Sequence, residues 1–218
     1  TFSYEDGGQQ LPEMVGMTVP TAIFSAANYS AAVYHGLTAG AAGLIATFGD
    51  QAMKDVYLPK MLSGEWQGTM ALTEPQAGSS LSDIAAMATA APQGYYNIKG
   101  QKIFISAGDH DGVDNVVHLA LARVKDAPAG VKGISLFIIP KKRICEDGSL
   151  EPNDVNCAGV YHKLGYRGAP ITQLAFGENE DCRGWLVGEA NQGLAYMFQM
   201  MNGARIDVGL GASCIASA

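Results

Sequence analysis

The residues best suited to chemistry lie in one short polar segment, Ala71–Ser80. A strand-like run ends at Thr73, Glu74-Pro75 begins a turn, and Gly78 allows backbone to approach whatever lies above it. Hydroxyls and backbone N–H groups at a strand end suit the polar edge or the phosphates of a flat cofactor. Taken alone, such a segment is more often an ordinary Pro/Gly turn, so its meaning depends on the rest of the chain.

Metal and disulfide chemistry find no support in the sequence. The four cysteines show no Cys-x-x-Cys spacing and are predicted to be free thiols in a reducing compartment. The four histidines are scattered, with no pair at metal-ligand spacing. The cysteines are Cys145, Cys157, Cys182 and Cys214.

The charge balance argues against a nucleic-acid-binding module. Fourteen Lys and Arg against 21 Asp and Glu give a net charge of −7. Contacts to nucleic-acid phosphates need clustered Lys and Arg side chains instead. The one basic cluster, Lys141-Lys142-Arg143, follows a strand-like run and is read as a solvated strand end. Nucleic acid is therefore an unlikely partner by composition.

Three regions of the chain must position the polar segment. They differ in the spacing of their hydrophobic residues, which is helical in the first and third regions and strand-like in the second. We predict an N-terminal helical domain over 1–66, a middle β domain over 67–180, and the start of a C-terminal helical domain over 181–218. The fold class is α+β, with an antiparallel barrel or sandwich between helical parts. The chain starts without Met and ends in an Ala-rich helical run, which suggests a piece of a longer protein.

Local signals within the N-terminal region predict two helices. An apolar face recurs at steps of three and four through Phe24, Ala27, Ala31 and Tyr34. Asp50 is a predicted N-cap for a second helix, Gln51 to about Leu58, which Pro59 ends or follows with a short turn. The most apolar stretch, 36–48, is shorter than the ~18–20 residues of a membrane span, so no span is predicted.

The β and C-terminal regions are predicted from their own periods. A strand, a tight turn at Gly100 and a second strand are expected within 95–106. Further strands are expected over 116–124, 133–139, 158–164 and 172–176. In the C-terminal region, the hydrophobic residues recur at helical spacing, and this pattern continues to Ala218. Its members are Leu194, Met197, Phe198, Met201, Val208, Ala212 and Ile215.

Three ordered motifs give this sequence its resemblance to the acyl-CoA dehydrogenase family. They are the Ala71–Ser79 segment, the Asn97–Ser106 segment and the helix from Gly193 through Arg205. The stretch Tyr161–Gly168 is most similar to the larger bacterial branch, which includes 3-methylmercaptopropionyl-CoA dehydrogenases and lies near the alkylation-response flavoproteins. The resemblance covers nearly the whole chain from about residue 20.

The resemblance implies an FAD-dependent enzyme with the cofactor between the middle and C-terminal domains. Such an enzyme removes a proton from Cα of an acyl-CoA thioester while hydride leaves Cβ for flavin N5. It implies an acyl-CoA substrate, an electron-transfer acceptor, a homo-oligomeric full-length protein and a bacterial cytoplasmic location. An alternative is a flavin-carrying, DNA-associated protein like the alkylation-response relatives, without dehydrogenase activity.

Residue roles follow from the resemblance alone. Ser79 would reach the phosphate side of the cofactor and the edge of the CoA site, and Phe104 stands where the family often has Trp. Asn202 and Arg205 fall where the family contacts substrate or orients the catalytic carboxylate. The base is expected beyond Ala218, because Ala204 occupies the alternative position. The chain alone is therefore expected to be inactive. The predicted cofactor-binding residues are Met70, Leu72, Thr73, Ser79, Phe104 and Ser106, and the predicted substrate-binding residues are Ser79, Asn202 and Arg205.

Overall fold

Residues 2–218 are described by a computed structural model. Helix α1 (Val19–Phe48) continues from a π-helical turn, and α2 (Gln51–Leu62) follows it. The predicted cap is confirmed, because Asp50 Oδ1 accepts a 2.8 Å hydrogen bond from the Met53 amide. Pro59 does not end α2 as predicted, since the helix continues past it to Leu62.

The N-terminal helix is present where it was predicted, but its buried face is different. Phe24 is 61% exposed, while Ser25 and Ala32 are buried. The backbone of Asn28 leaves helical geometry at φ −160°, which kinks α1 and shifts the side chains that follow. The simple three-and-four spacing through Phe24 therefore gave the wrong face.

Ten strands follow the helices, and the sequence predicted their main runs. The predicted hairpin at Gly100 is wrong, because one continuous strand crosses that position. The reason is packing: a Cβ on Gly100 would lie 2.7 Å from Ala86 Cβ, so glycine is there for close approach of β2. The strands are β1 (Trp66–Ala71), β2 (Met87–Ala90), β3 (Tyr96–Ser106), β4 (Asn115–Val124), β5 (Ile134–Pro140), β6 (Lys142–Ile144), β7 (Leu150–Pro152), β8 (Val155–Val160), β9 (Ile171–Phe176) and β10 (Arg183–Leu186).

Eight of these strands form one sheet that curls into a barrel. The order is β1-β4-β5-β10-β3-β9-β8, and β2 closes a ring by pairing with both β3 and β4. The predicted α+β class with a β-barrel is confirmed, although β1 and β2 pair with β4 in parallel rather than antiparallel. The domain boundaries stay a prediction; β10 joins this sheet from beyond the proposed boundary at 180.

The hydrophobic core is divided between the two faces of β4 and β5. Val117 and Leu119 pack with the helices, whereas the alternating Ala120 and Ala122 point into the barrel with Phe137. On β4 the larger residues therefore face the helices, and the alanines face the barrel interior, where they leave room for Phe137 of β5. The final helix, α3 (Gly193–Ser217), packs mainly against α1 and lays Met197 into the helical cluster.

The long N-terminal helix exceeds the length expected from the sequence. The helical stretch Met14–Phe48 has 35 residues and is apolar enough to cross a membrane by length and composition alone. A core helix of a soluble protein meets the same criterion. The expectation that no stretch is long enough is therefore wrong, and the absence of a membrane span stays a prediction.

Candidate functional site

The polar turn after β1 folds back on itself and is tied to β3. The Glu74 amide donates to the Ala77 carbonyl at 2.8 Å, and the Ala77 amide donates back at 3.1 Å. The Ile103 amide donates to the Thr73 carbonyl at 2.9 Å. Gly78 passes close to Thr73, since a Cβ there would lie 3.6 Å from the Thr73 methyl group. The predicted turn therefore lies beside the end of β3, the second predicted motif.

A buried ion pair anchors this turn. The Lys102 ammonium donates to Glu74 Oε1 at 2.7 Å and to the Leu72 carbonyl at 3.0 Å, and both charged side chains are at most 2% exposed. The Glu74 carboxylate also accepts from the amides of Ala85 and Ala86. Burial lowers the pKa of Lys102 to about 8, against the opposing pull of Glu74. Because one carboxylate joins three chain segments, removing either charge would loosen the turn.

Phe104 is presented by an irregularity in β3. The register between β3 and β9 shifts between Lys102 and Ile105, which leaves Phe104 outside the ladder. Its φ is +59°, in the left-handed region that a bulky residue seldom adopts, and its side chain is 57% exposed. The ring lies 4.8 Å, centroid to centroid, from that of Tyr161. A strained, solvent-facing aromatic beside a polar turn is the kind of outlier that marks a functional site.

An elongated cavity of about 460 Å³ lies between α1 and α3 and reaches the end of β3. Met70 and Ser106 line it, so two of the predicted cofactor residues face this space. Tyr166, from the β8–β9 loop, closes part of its wall, and burial raises the pKa of its hydroxyl, with Ser106 opposing in part. The cavity and the Thr73–Phe104 region therefore adjoin.

The inner face of α3 carries a carboxylate that the sequence did not single out. Asp207 lines the cavity one turn after Ala204, and Gly36 of α1 lies opposite with a built Cβ 4.0 Å from its Oδ2. The pKa of Asp207 is raised, mainly by burial and in part by the nearby Glu13 carboxylate, and His35 opposes this shift. The signal was available in the sequence, because Met200, Ala204 and Asp207 share one helical face.

The other predicted residues lie on exposed surface. Ser79 is exposed in the turn and follows Gly78. Arg205 donates from Nη1 to Asn202 Oδ1 at 3.0 Å, and this pair lies on the face of α3 that does not line the cavity. The Arg205 guanidinium sits 5.8 Å from the ring of Phe198. The substrate roles of Ser79, Asn202 and Arg205, like the cofactor roles above, stay predictions.

Comparison with known proteins identifies the family. A family model described as "Acyl-CoA dehydrogenase, middle domain" matches residues 69–178, about half of the chain. The chain belongs to the acyl-CoA dehydrogenase family. The match spans the polar turn, Lys102, Phe104 and the β8–β9 loop, which confirms the resemblance drawn from the motifs.

Similar proteins agree with this family. The 3-methylmercaptopropionyl-CoA dehydrogenase of Ruegeria pomeroyi is 45% identical over 97% of this chain. The structure of butyryl-CoA dehydrogenase from Megasphaera elsdenii matches 99% of the chain with a TM-score of 0.82 and 26% identity. An acyl-CoA dehydrogenase from Bacillus anthracis, solved in complex with FAD, matches 97% with a TM-score of 0.79 and 26% identity. This chain spans only 36%, 54% and 34% of these three proteins, respectively.

Proposed function

We propose that the full-length protein is an FAD-dependent acyl-CoA dehydrogenase that removes a proton from Cα and hydride from Cβ of an acyl-CoA thioester. The observation that supports this most directly is the junction of two features. Phe104 is exposed near the end of β3, the Thr73 carbonyl is hydrogen-bonded to the preceding residue Ile103, and Ser106, two residues after Phe104, lines the cavity. An acyl chain in the cavity would therefore end beside a cofactor at Phe104.

The residues present fit a flat, partly apolar cofactor. The exposed ring of Phe104 offers a stacking face, and the hydroxyls of Thr73 and Ser106 offer hydrogen bonds at its edge. Met70 and Leu72 would supply the apolar floor, and Ser79 would lie toward the phosphates. FAD bound there would supply the hydride acceptor. The Glu74–Lys102 pair would hold the turn rigid without contacting the cofactor.

The chain's contribution to the substrate is binding and orientation. Glycine and alanine residues on the facing sides of α1 and α3 leave room for an acyl chain between the helices. The apolar part of the cavity lining, which includes Val33, Leu37 and Met200, excludes water from beside the acyl chain, and a drier site strengthens the polarisation of the thioester oxygen that proton removal requires. We place the catalytic base beyond Ala218, on an element that would complete the cavity. The chain alone is then inactive.

The remaining proposals concern the setting of the whole protein. An electron-transfer protein would reoxidise the cofactor, and the full-length enzyme would be a homo-oligomer in the bacterial cytoplasm. The net charge of −7 speaks against nucleic acid as a partner. The DNA-associated alternative would instead show a strongly salt-dependent gel shift and no turnover of any acyl-CoA.

The test uses the purified full-length protein with FAD, a panel of acyl-CoA thioesters and an artificial electron acceptor. We expect acyl-CoA-dependent reduction of the acceptor. In Phe104→Ala we expect FAD binding weaker by about 2- to 10-fold, because a stacking contact of roughly 0.5–1.5 kcal/mol is lost. FAD affinity is measured by quenching of flavin fluorescence. Tyr4→Ala, which removes an exposed aromatic outside the site, is the control. Wild-type protein that neither carries nor binds FAD would refute the proposal.

A further inference from the structure

The cavity between α1 and α3 contains more polar groups than an apolar acyl chain needs. Asp207 makes no hydrogen bond or ion pair with any residue that the structure describes, 2–218. Ser25 lines the same cavity, is only 1% exposed, and its hydroxyl has no hydrogen-bond partner. The buried Tyr166 hydroxyl also lacks a partner of acceptable geometry. Fully buried polar atoms without partners are costly, so a ligand that satisfies the hydroxyls of Ser25 and Tyr166 gains affinity. The partly buried Asp207 carboxylate is free to accept a further hydrogen bond.

The charges around this cavity are of one sign. Glu13 and Asp207 line it, and neither Lys nor Arg is found among its lining residues within the described chain. His35 of α1 faces Asp207 from the opposite helix, and Tyr29 is the other titratable group close to it. The nearby positively charged side chains interact with groups other than Asp207. Lys163 lies over the Tyr166 ring, and Arg205 donates a hydrogen bond to Asn202. An anionic group in the cavity would therefore meet carboxylates without a compensating cation.

The cavity that Asp207 lines, of about 460 Å³, is the space available to a ligand beside the carboxylate. At Gly36, on the facing helix, an added Cβ would lie in ordinary van der Waals contact, 4.0 Å from Asp207 Oδ2. On either side the helices are in contact, since a Cβ on Gly40 would lie 2.9 Å from Met200 and one on Gly211 would lie 2.3 Å from Tyr29. Asp207 thus stands at a local widening between two close helix contacts.

We propose that Asp207 is a specificity-determining residue of the acyl cavity, which favours acyl chains with a neutral hydrogen-bond donor and disfavours chains that end in a carboxylate. This rests on the proposed dehydrogenase function. A donor such as a hydroxyl would bond the Asp207 carboxylate, whereas a carboxylate placed near it would suffer like-charge repulsion. Discrimination by an unpaired polar group can exceed that of an apolar wall.

The experiment compares three thioesters of equal carbon number on the full-length holoenzyme. Pentanoyl-CoA, 5-hydroxypentanoyl-CoA and glutaryl-CoA differ only in the group at the chain end. We measure kcat and KM for each with wild type, Asp207→Asn, Asp207→Ser and the control Asp55→Asn, which changes an exposed carboxylate on α2. Dissociation constants of the corresponding non-reactive CoA thioethers, followed by flavin absorbance, report binding without turnover.

The expected result is a change in relative rather than total activity. Wild type should use glutaryl-CoA at least about tenfold less efficiently than pentanoyl-CoA, by like-charge repulsion. In Asp207→Asn and Asp207→Ser, the ratio of kcat/KM for pentanoyl-CoA to kcat/KM for glutaryl-CoA should be about tenfold smaller than in wild type. Both variants should also bind the hydroxylated thioether more weakly. The control Asp55→Asn should change neither quantity. Unchanged ratios in both Asp207 variants would overturn the proposal, as would an equal loss of turnover with all three substrates. Absence of wild-type turnover with every thioester would instead refute the dehydrogenase function.

Discussion

At the scale of single residues, the charged pair beneath the polar turn is more informative than any exposed candidate. The Glu74 and Lys102 motifs were visible in the sequence, but their contact was not, because 28 residues separate them and only the fold brings them together. A lysine in an alternating strand is ordinarily placed on the solvent side. Its burial is possible here because the Leu72 carbonyl and the Glu74 carboxylate accept hydrogen bonds from its ammonium group.

Removal of the buried cation should destabilise the protein strongly. We expect Lys102→Met to lower the free energy of unfolding by about 3–5 kcal/mol, because it leaves the Glu74 carboxylate buried without a counter-charge. Glu74→Gln with Lys102→Met should restore part of that loss. Urea unfolding of wild type, Lys102→Met, Glu74→Gln and the double variant forms a double-mutant cycle. Lys99→Met, which removes the exposed pair to Glu180, is the control and should cost under ~1 kcal/mol. Additive effects of the two core changes would contradict this account.

The pH dependence of stability should contain a contribution from His118. This residue is fully buried, its Nδ1 lies 2.7 Å from Thr69 Oγ1, and burial lowers its pKa to about 3. The unfolded chain, with a pKa near 6.5, binds more protons between pH ~3 and ~6.5. The contribution of His118 to the free energy of unfolding is therefore fully present above pH ~6.5. It decreases as the pH falls, and the loss is roughly 1.4 kcal/mol at pH 5.5.

Substitution of His118 isolates that contribution. His118→Gln should remove the extra loss of stability between pH 7.5 and 5.5, measured by urea unfolding at both values, whatever its effect at neutral pH. His35→Gln, at an exposed histidine, provides the comparison and should leave the slope in place. An identical pH slope in His118→Gln and wild type would show that another group is responsible.

At the scale of elements, periodicity predicted the strands well and their connections less well. The runs at β4 and β5 were identified because both faces of these strands are buried, which gives continuous apolar segments. At Gly100 the sequence predicts a turn, because a glycine between two strand-like runs typically indicates one. Its actual role is to let β2 approach β3, a requirement set by a strand that the local sequence does not contain.

The close approach at Gly100 can be tested by adding one methyl group. Gly100→Ala should lower the free energy of unfolding by about 1–3 kcal/mol, since the new Cβ would lie 2.7 Å from Ala86 Cβ. Gly159→Ala on β8 is the matched control, because nothing lies within 4 Å of its built Cβ. Thermal or urea unfolding measures both. Equal effects at the two positions would exclude steric contact with Ala86 as the reason for glycine.

At the scale of the whole molecule, the barrel and the helix pair share one boundary, and the candidate site lies on it. The sequence predicted the order helical, β, helical, and the family resemblance located the cofactor region. It could not predict the cavity, because Ser25, Tyr166 and Asp207 come from three elements distant in sequence. Apolar side chains of α3 that line this cavity, among them Ile206 and Val208, stay exposed in this chain.

The parallel pairing of β1 and β2 with β4 has a consequence for synthesis on the ribosome. Thr69 of β1 pairs with His118, so β1 has no sheet partner until translation has passed β4. The helices α1 and α2 contact each other through local sequence and can associate much earlier. The turn between β1 and β2 would thus acquire its shape late. Chaperones that bind nascent chains would meet β1, residues 66–71, as unpaired polypeptide, with the helical hairpin already formed behind it.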